Sequence, residues 1–316
     1  IGIDEAGYGP NFGPLVITAS VWRVAGTVDD SSFWPALSEV VTQERSRSQD
    51  RIHVADSKEV YSTQRGLGPL ERSIRHILEI AGAPIDSFQA LAEWLRKSDA
   101  AHQSLDLEPW FANADVDLPV AEKPAATELR AAFSERLAAA FSAAEIQLVS
   151  IRSDIVLTER FNELTTRYDS KGLALSRITL SLLRSVWDPD SDEPTLVIGD
   201  KHGGRNRYDD LLAEQLDGQI IQRLQEGSLR SCYRVGRTEL HFQQKAEAHF
   251  PVAVSSMVCK YIRELSMQLF NDFWQSHVSD LKSTKGYPQD AKRFRREIAD
   301  AQQRLGIPDS TLWRAR

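Results

Sequence analysis

Asp4 and Glu5 stand side by side at the end of the apolar segment Ile1-Gly2-Ile3, and Gly7, Gly9 and Gly13 follow almost at once. Two more acids share that setting: Asp200 ends the apolar run 195–199, and Glu247 follows the strand-like stretch 238–244. Carboxylates brought together repel, and burial raises their pKa, unless a cation neutralises them. The chain has only two cysteines, Cys232 and Cys259, and no His or Cys cluster at zinc spacing. An oxygen-only ligand set favours Mg²⁺ or Mn²⁺. Two such ions, about 4 Å apart, activate a water and stabilise the leaving oxygen of a phosphodiester. The acids then hold metal rather than move protons. Taken singly, Asp200 reads equally well as a turn or helix cap and Glu247 as a surface acid; the adjacent pair Asp4-Glu5 is harder to explain that way.

Elements must bring these acids together. Residues 14–24 read as a β-branched strand after the glycine-rich turn, and 145–153, 194–200, 228–237 and 238–247 as further strands. Asp56 or Ser57 can cap a helix, and 62–82 carries helical spacing. The segment 154–187 reads as one or two helices broken at Gly172, and 253–274 places apolar residues on a single helical stripe. Strands alternating with helices indicate an α/β domain with a mixed sheet. In such sheets, sites gather at strand ends. Neighbours on a strand point to opposite faces, so Glu5 reaches an Asp4-centred site through a bend or through its carbonyl. The glycines that follow make a bend cheap. Residues 86–145 hold amphipathic helices around a polar stretch from Leu105 to Pro124 and read as a helical insertion.

With 316 residues, the chain can hold one large domain or two ordinary ones. No apolar run is long enough to span a bilayer, and the sparse cysteines suit a cytoplasmic setting. A formal charge of −7 argues against general nucleic-acid affinity, but local charge matters more. Lys282, Lys285, Lys292, Arg293, Arg295 and Arg296 crowd one stretch, and Arg205 with Arg207 forms a smaller basic spot; each reads equally as a solvated face.

The string GIDEAGYGPNFGPLV at 2–16 resembles the opening motif of the type 2 ribonucleases H, ribonucleases HII and HIII. DSKEV at 56–60, LVIGD ending at Asp200, KAE at 245–247 with AVSSMVCKY after it, and KGYP at 285–288 match further motifs of that family, in its order. The resemblance implies an RNase H-like mixed sheet flanked by helices and two-metal hydrolysis of the RNA strand of RNA–DNA hybrids, or of ribonucleotides embedded in DNA duplex. Products carry 5′-phosphate and 3′-hydroxyl ends. By position, Asp4, Glu5, Asp200 and Glu247 would bind two Mg²⁺ or Mn²⁺ ions. Gly7, Tyr8 and Gly9 would meet the ribose 2′-hydroxyl through their backbone, which separates RNA from DNA without reading bases. Lys58 would contact phosphate, and Tyr287 would stack on a deoxyribose.

Glu247 as fourth acid and NFGP at 11–14 lean toward the HIII branch, KGYP toward HII, and Tyr8 departs from both. The loop 200–208 adds His202, Arg205 and Arg207 where the family is often shorter, which reads as a contact to the strand backbone or as a local turn. Glu264 and His249 read as supports of the centre or as helix-surface groups. The expected organisation is a single catalytic domain, 1–316, with 86–145 inserted and 253–316 a C-terminal helical region that binds substrate. No protein partner is inferred. Rival readings are a nuclease of the same fold with another nucleic-acid substrate, a non-catalytic hybrid-binding protein, and an actin- or sugar-kinase-like ATPase, which would need a second phosphate loop.

Overall fold

The computed structural model describes residues 1–26, 32–45, 50–96, 104–121 and 127–315; the expected end of the polar stretch at Pro124 lies outside them. β1 (Gly2–Ala6) and β2 (Leu15–Val24) form an antiparallel hairpin, with Ala6 opposite Val16, so residues 7–14 are its turn. After α1 (Phe33–Ala36), a two-residue ladder pairs β3 (Val41–Thr42) with β4 (Ile52–His53). Then come α2 (Ser57–Val60), α3 (Gly68–Ile80), α4 (Phe88–Arg96) and α5 (Thr127–Ala143). β5 (Ile146–Val156) pairs with β2, and α6 (Thr158–Tyr168) and α7 (Lys171–Val186) lead to β6 (Thr195–Asp200). α8 (Asp209–Gln215), β7 (Ile221–Gln225), β8 (Arg230–Val235) and β9 (Thr238–Gln243) precede the long α9 (Phe250–His277). α10 (Pro288–Glu297), α11 (Ala299–Leu305) and α12 (Asp309–Leu312) complete the described elements.

The result is the mixed sheet flanked by helices that the sequence implies. Seven strands lie in the order β5-β2-β1-β6-β9-β8-β7, with β6 parallel to both β1 and β9 and the outer pairs antiparallel. The period-2 pattern of β2 divides its side chains between two cores. Val16 faces the core built on α9, whereas Leu15, Ile17 and Ala19 face the core that holds Leu175 and Ile178 of α7. Gly2 lets α9 lie against β1: a Cβ there would fall 2.2 Å from the carbonyl carbon of Pro251.

Two local expectations change. The helix break falls at Asp169 rather than Gly172: Asp169 is left-handed (φ 46°), and the Ser170 hydroxyl caps α7 by accepting from the Leu173 N–H. Gly172 sits in the first turn of α7. α9 is buried on all sides over most of its length rather than along one stripe, its polar Ser255, Ser256, Arg263 and Glu264 included. Part of the 86–145 segment supplies the extra cover: Phe88, Leu91, Trp110 and Phe111 share the α9 core, with the Trp110 ring 4.9 Å from Phe270. β7 has no signal in the sequence because four of its five residues are exposed.

Candidate active site

Asp4 and Asp200 reach the same place because β1 and β6 run parallel, with Gly2 opposite Ile198 and Ile3 opposite Gly199. The next residues along the two strands are the two acids. β9 lies beside β6, with Asp200 opposite Gln243, and a short 3-10 turn at Ala246–Ala248 carries Glu247 just beyond that strand. Acids from three separate stretches thus come to the ends of neighbouring central strands.

The electrostatics register the meeting. Burial pushes the Asp4 carboxyl up to about 7; hydrogen bonds from Ser256 and from the Glu5 backbone oppose this, while Asp200 and Asp56 add repulsion. Burial, then Asp4 and Asp200, hold Glu5 at about 8. Asp200 is likewise raised by burial, with Glu247 and Asp56 adding to it. Lys58 stands in the same field: burial lowers its pKa, but Asp56, Asp4 and Glu247 together raise it further. Its side chain is 87% exposed and lies 3.6 Å from Asp56. Asp56 caps α2 by accepting from the Lys58 N–H at 3.1 Å, so a fifth acid borders the cluster.

These donors are all carboxylate oxygens, the set that suits Mg²⁺ or Mn²⁺. Their mutual repulsion is of the kind a bound cation removes. Among the described residues, no three His, Cys, Asp or Glu side chains converge closely enough to form a ready-made cage. The fit is therefore one of donor chemistry and strand-end placement.

The glycine-rich turn beside the acids is held from beneath by two buried arginines that sequence reasoning missed. Arg314 donates to the carbonyls of Gly7 (2.5 Å), Gly13 (3.3 Å) and Tyr8 (3.3 Å), and stacks over Phe161 at 4.0 Å. Arg263 of α9 donates to Pro14 at 2.7 Å and to Phe12 at 3.2 Å. Burial works against both charges, and carbonyl dipoles answer them. Phe12 pins the turn, its ring 5.3 Å from Phe270 and 5.2 Å from Trp313. Gly7 is required here: its φ is 92°, and a Cβ would meet the Pro14 carbonyl at 2.6 Å. A Cβ on Gly9 would meet nothing within 4 Å, so that position is open.

The KGYP segment docks on the same turn, since Asn11 N–H donates to the Gly286 carbonyl at 2.7 Å. It leaves Tyr287 55% exposed at the start of α10. Lys285 and Lys260 both bind Glu264, at 2.6 and 2.7 Å, and the Tyr61 hydroxyl donates to the same carboxylate at 2.7 Å. Burial opposes the Glu264 charge, but the two lysines overcome it and hold the carboxyl at about 2. His249 begins α9 with its ring Nε2 2.6 Å from the Gln243 amide. A residue such as Arg314, remote in sequence from the turn it holds, left no signal. Arg263 left a weak one, a charge inside an apolar helix.

No family model matches the chain, and no curated protein does. Among solved structures it is similar to ribonuclease HII in the PCNA:RNase HII complex from Archaeoglobus fulgidus, at 13% identity and a TM-score of 0.41, covering 100% of this chain and 93% of that one. It is also similar to ribonuclease H2 from Pyrococcus horikoshii OT3, at 13% identity and a TM-score of 0.42, covering 98% and 90%. For Aquifex aeolicus RNase H3 the values are 12%, 0.40, 99% and 69%. Likeness at this level decides neither lineage nor activity, and the functional reading rests on the chain's own residues.

Proposed function

We propose that this protein is a metal-dependent endoribonuclease that cuts the RNA strand of RNA–DNA hybrids, or ribonucleotides embedded in DNA duplex, leaving 5′-phosphate and 3′-hydroxyl ends. The observation that carries this reading is the union, at the ends of the neighbouring strands β1 and β6, of Asp4, Glu5 and Asp200, with Glu247 in their field and the Gly7–Gly9 turn alongside. Asp4, Glu5, Asp200 and Glu247 would hold two Mg²⁺ or Mn²⁺ ions, which when bound supply Lewis-acid stabilisation of the reacting phosphate and an acidified water.

The remaining work falls to the chain. The strand ends anchor the backbone of Asp4, Glu5 and Asp200, so only side-chain adjustment would be needed to gather their carboxylates around ions. Arg314 and Arg263 engage the carbonyls of the turn from below, which fixes the turn's orientation against the acids. The backbone at Gly9 is unobstructed, which leaves it open to a ribose 2′-hydroxyl. Lys58, exposed at the edge of the acids, is placed to take a phosphate, and exposed Tyr287 to stack on a sugar.

The test is a cleavage assay in Mg²⁺ and in Mn²⁺ that compares a full hybrid, a DNA duplex with one ribonucleotide, and an all-DNA duplex. Cleavage of either ribonucleotide-bearing substrate, with 5′-phosphate ends, is expected. Equal cutting of the all-DNA duplex, or no cutting of any substrate, would contradict the reading.

A further inference from the structure

Beside the carboxylate centre, on the far side of Tyr8, lies a cavity of about 600 Å³ between the start of α7 and the loop that follows Asp200. Arg205 and Arg207 line it and no carboxylate does, in a chain whose formal charge is −7. The backbone of the loop that carries them is anchored. Lys201, 7% exposed, spends its ammonium inside the protein, on the Arg205 carbonyl (3.0 Å), Asn206 Oδ1 (3.1 Å), the Gly227 carbonyl (2.7 Å) and Ser231 Oγ (3.1 Å). His202 is likewise committed: its ring is buried, and its Nδ1 lies 3.0 Å from Ser176 Oγ. The arginines themselves are underused. Arg205 Nε is shielded from solvent with no hydrogen-bond acceptor. Among the described residues Arg207 keeps only a loose pair with Glu226, 3.5 Å away, and its side chain is 77% exposed.

Tyr8 forms the wall nearest the acids. Its hydroxyl lies 3.5 Å from where a Cβ on Gly203 would stand and 3.7 Å from one on Gly172, so it reaches toward both sides of the opening. Lys171 Nζ lies 4.9 Å from the centre of its ring, adding a third positive charge at that wall. An acid-free hollow with two forked guanidinium donors and an aromatic wall suits a phosphate group attached to a sugar.

We propose that this cavity is a second phosphate subsite, which holds a backbone phosphate of the bound nucleic acid away from the cut, between Arg205 and Arg207, while Tyr8 packs against the attached nucleotide. The proposal rests on the nuclease reading above and names how the substrate is gripped beside the centre.

The experiment measures binding of a fluorescent RNA–DNA hybrid to Asp200→Asn protein over a range of salt, alongside KM for cleavage by the otherwise native enzyme. Adding Arg205→Ala and Arg207→Ala should weaken binding and raise KM at least about tenfold, and should lower the slope of log Kd against log salt by about 1 to 2. Lysine at both positions should restore the slope. Arg23→Ala with Arg234→Ala removes equal charge from other parts of the sheet and should leave the slope unchanged; both are exposed and paired with acids. Tyr8→Ala should weaken binding more than Tyr8→Phe. A slope unmoved by the Arg205/Arg207 pair, or moved equally by the Arg23/Arg234 pair, overturns the subsite while the nuclease reading stands. A native enzyme that neither binds nor cuts hybrid overturns both.

Discussion

Two groups of buried acid lie within a few turns of each other in this molecule and have opposite fates. Around Asp4, Glu5 and Asp200, carboxylates face carboxylates, and their pKa values rise to about 7 and about 8 for the first two. Around Glu264, a carboxylate less exposed than those three is met by Lys260, Lys285 and the Tyr61 hydroxyl, and its pKa falls to about 2. The chain therefore has the means to neutralise a buried acid and does so at Glu264. At the strand ends it does not. An acid cluster left unanswered destabilises the protein that carries it, and functional sites are where such a cost is retained. The comparison separates a structural ion-pair network from the acid cluster proposed above to hold cations.

The most severe way to test the contrast is to neutralise one acid of each group. Asp4→Asn or Asp200→Asn should cut hydrolysis of an RNA–DNA hybrid by a factor of roughly 1,000 or more, with circular dichroism unchanged. A loss below tenfold would place the catalytic centre elsewhere. Glu264→Gln should instead act on stability, because Lys260 and Lys285 lose their shared partner. A destabilisation of about 2 kcal/mol is expected in urea titration at pH 7. The sign with pH follows from the depressed pKa: the contribution is complete above about 4.5, the ordinary Glu range, and is lost as pH falls toward 2. The gap between native and variant protein should therefore close in acid, and a gap constant from pH 6 to 3 would refute the ion-pair account.

Cation affinity sharpens the other half. Because Asp4 and Glu5 hold protons up to about 7 and about 8, a divalent ion must displace them. Mn²⁺ affinity, read by calorimetry in two buffers of different ionisation enthalpy, should rise from pH 6 to 8, by up to about a hundredfold per unit where both acids hold protons and about tenfold where one does, with proton release. A flat profile would mean that the ions bind elsewhere. The smallest effect concerns the ion-free protein. A raised acid pKa stabilises the folded state less and less as pH climbs from about 4 through 7 to 8, so removing one charge helps. Asp4→Asn should raise stability in EDTA at pH 8 by on the order of 1 kcal/mol and lose that advantage at pH 5. An Asn variant no more stable than the native chain at pH 8 would show that repulsion at the strand ends is relieved by some other means.

Much of the acid centre was legible because its signals are local. Apolar residues running straight into Asp4-Glu5 and into Asp200 announce strand ends, and the Asp56 cap of α2 follows from a side chain that can accept its own helix's N–H. The break between α6 and α7 was misplaced because Gly172 is a stronger local marker than Asp169, whose left-handed turn depends on Ser170 capping the next helix. β7 was invisible because an exposed edge strand leaves no apolar alternation.

By itself, the sequence determined which acids end apolar strands and where the backbone beside them can turn tightly, because side-chain chemistry and backbone freedom are properties of residues and their neighbours. Only the tertiary structure decided that Arg314 would reach across the chain to Gly7 and Tyr8, that α9 would be buried on every side, and that Arg205 and Arg207 would line a hollow beside the acids. Each of these depends on packing between segments remote in sequence, where the energy lies in contacts and dipoles that no stretch of residues carries alone.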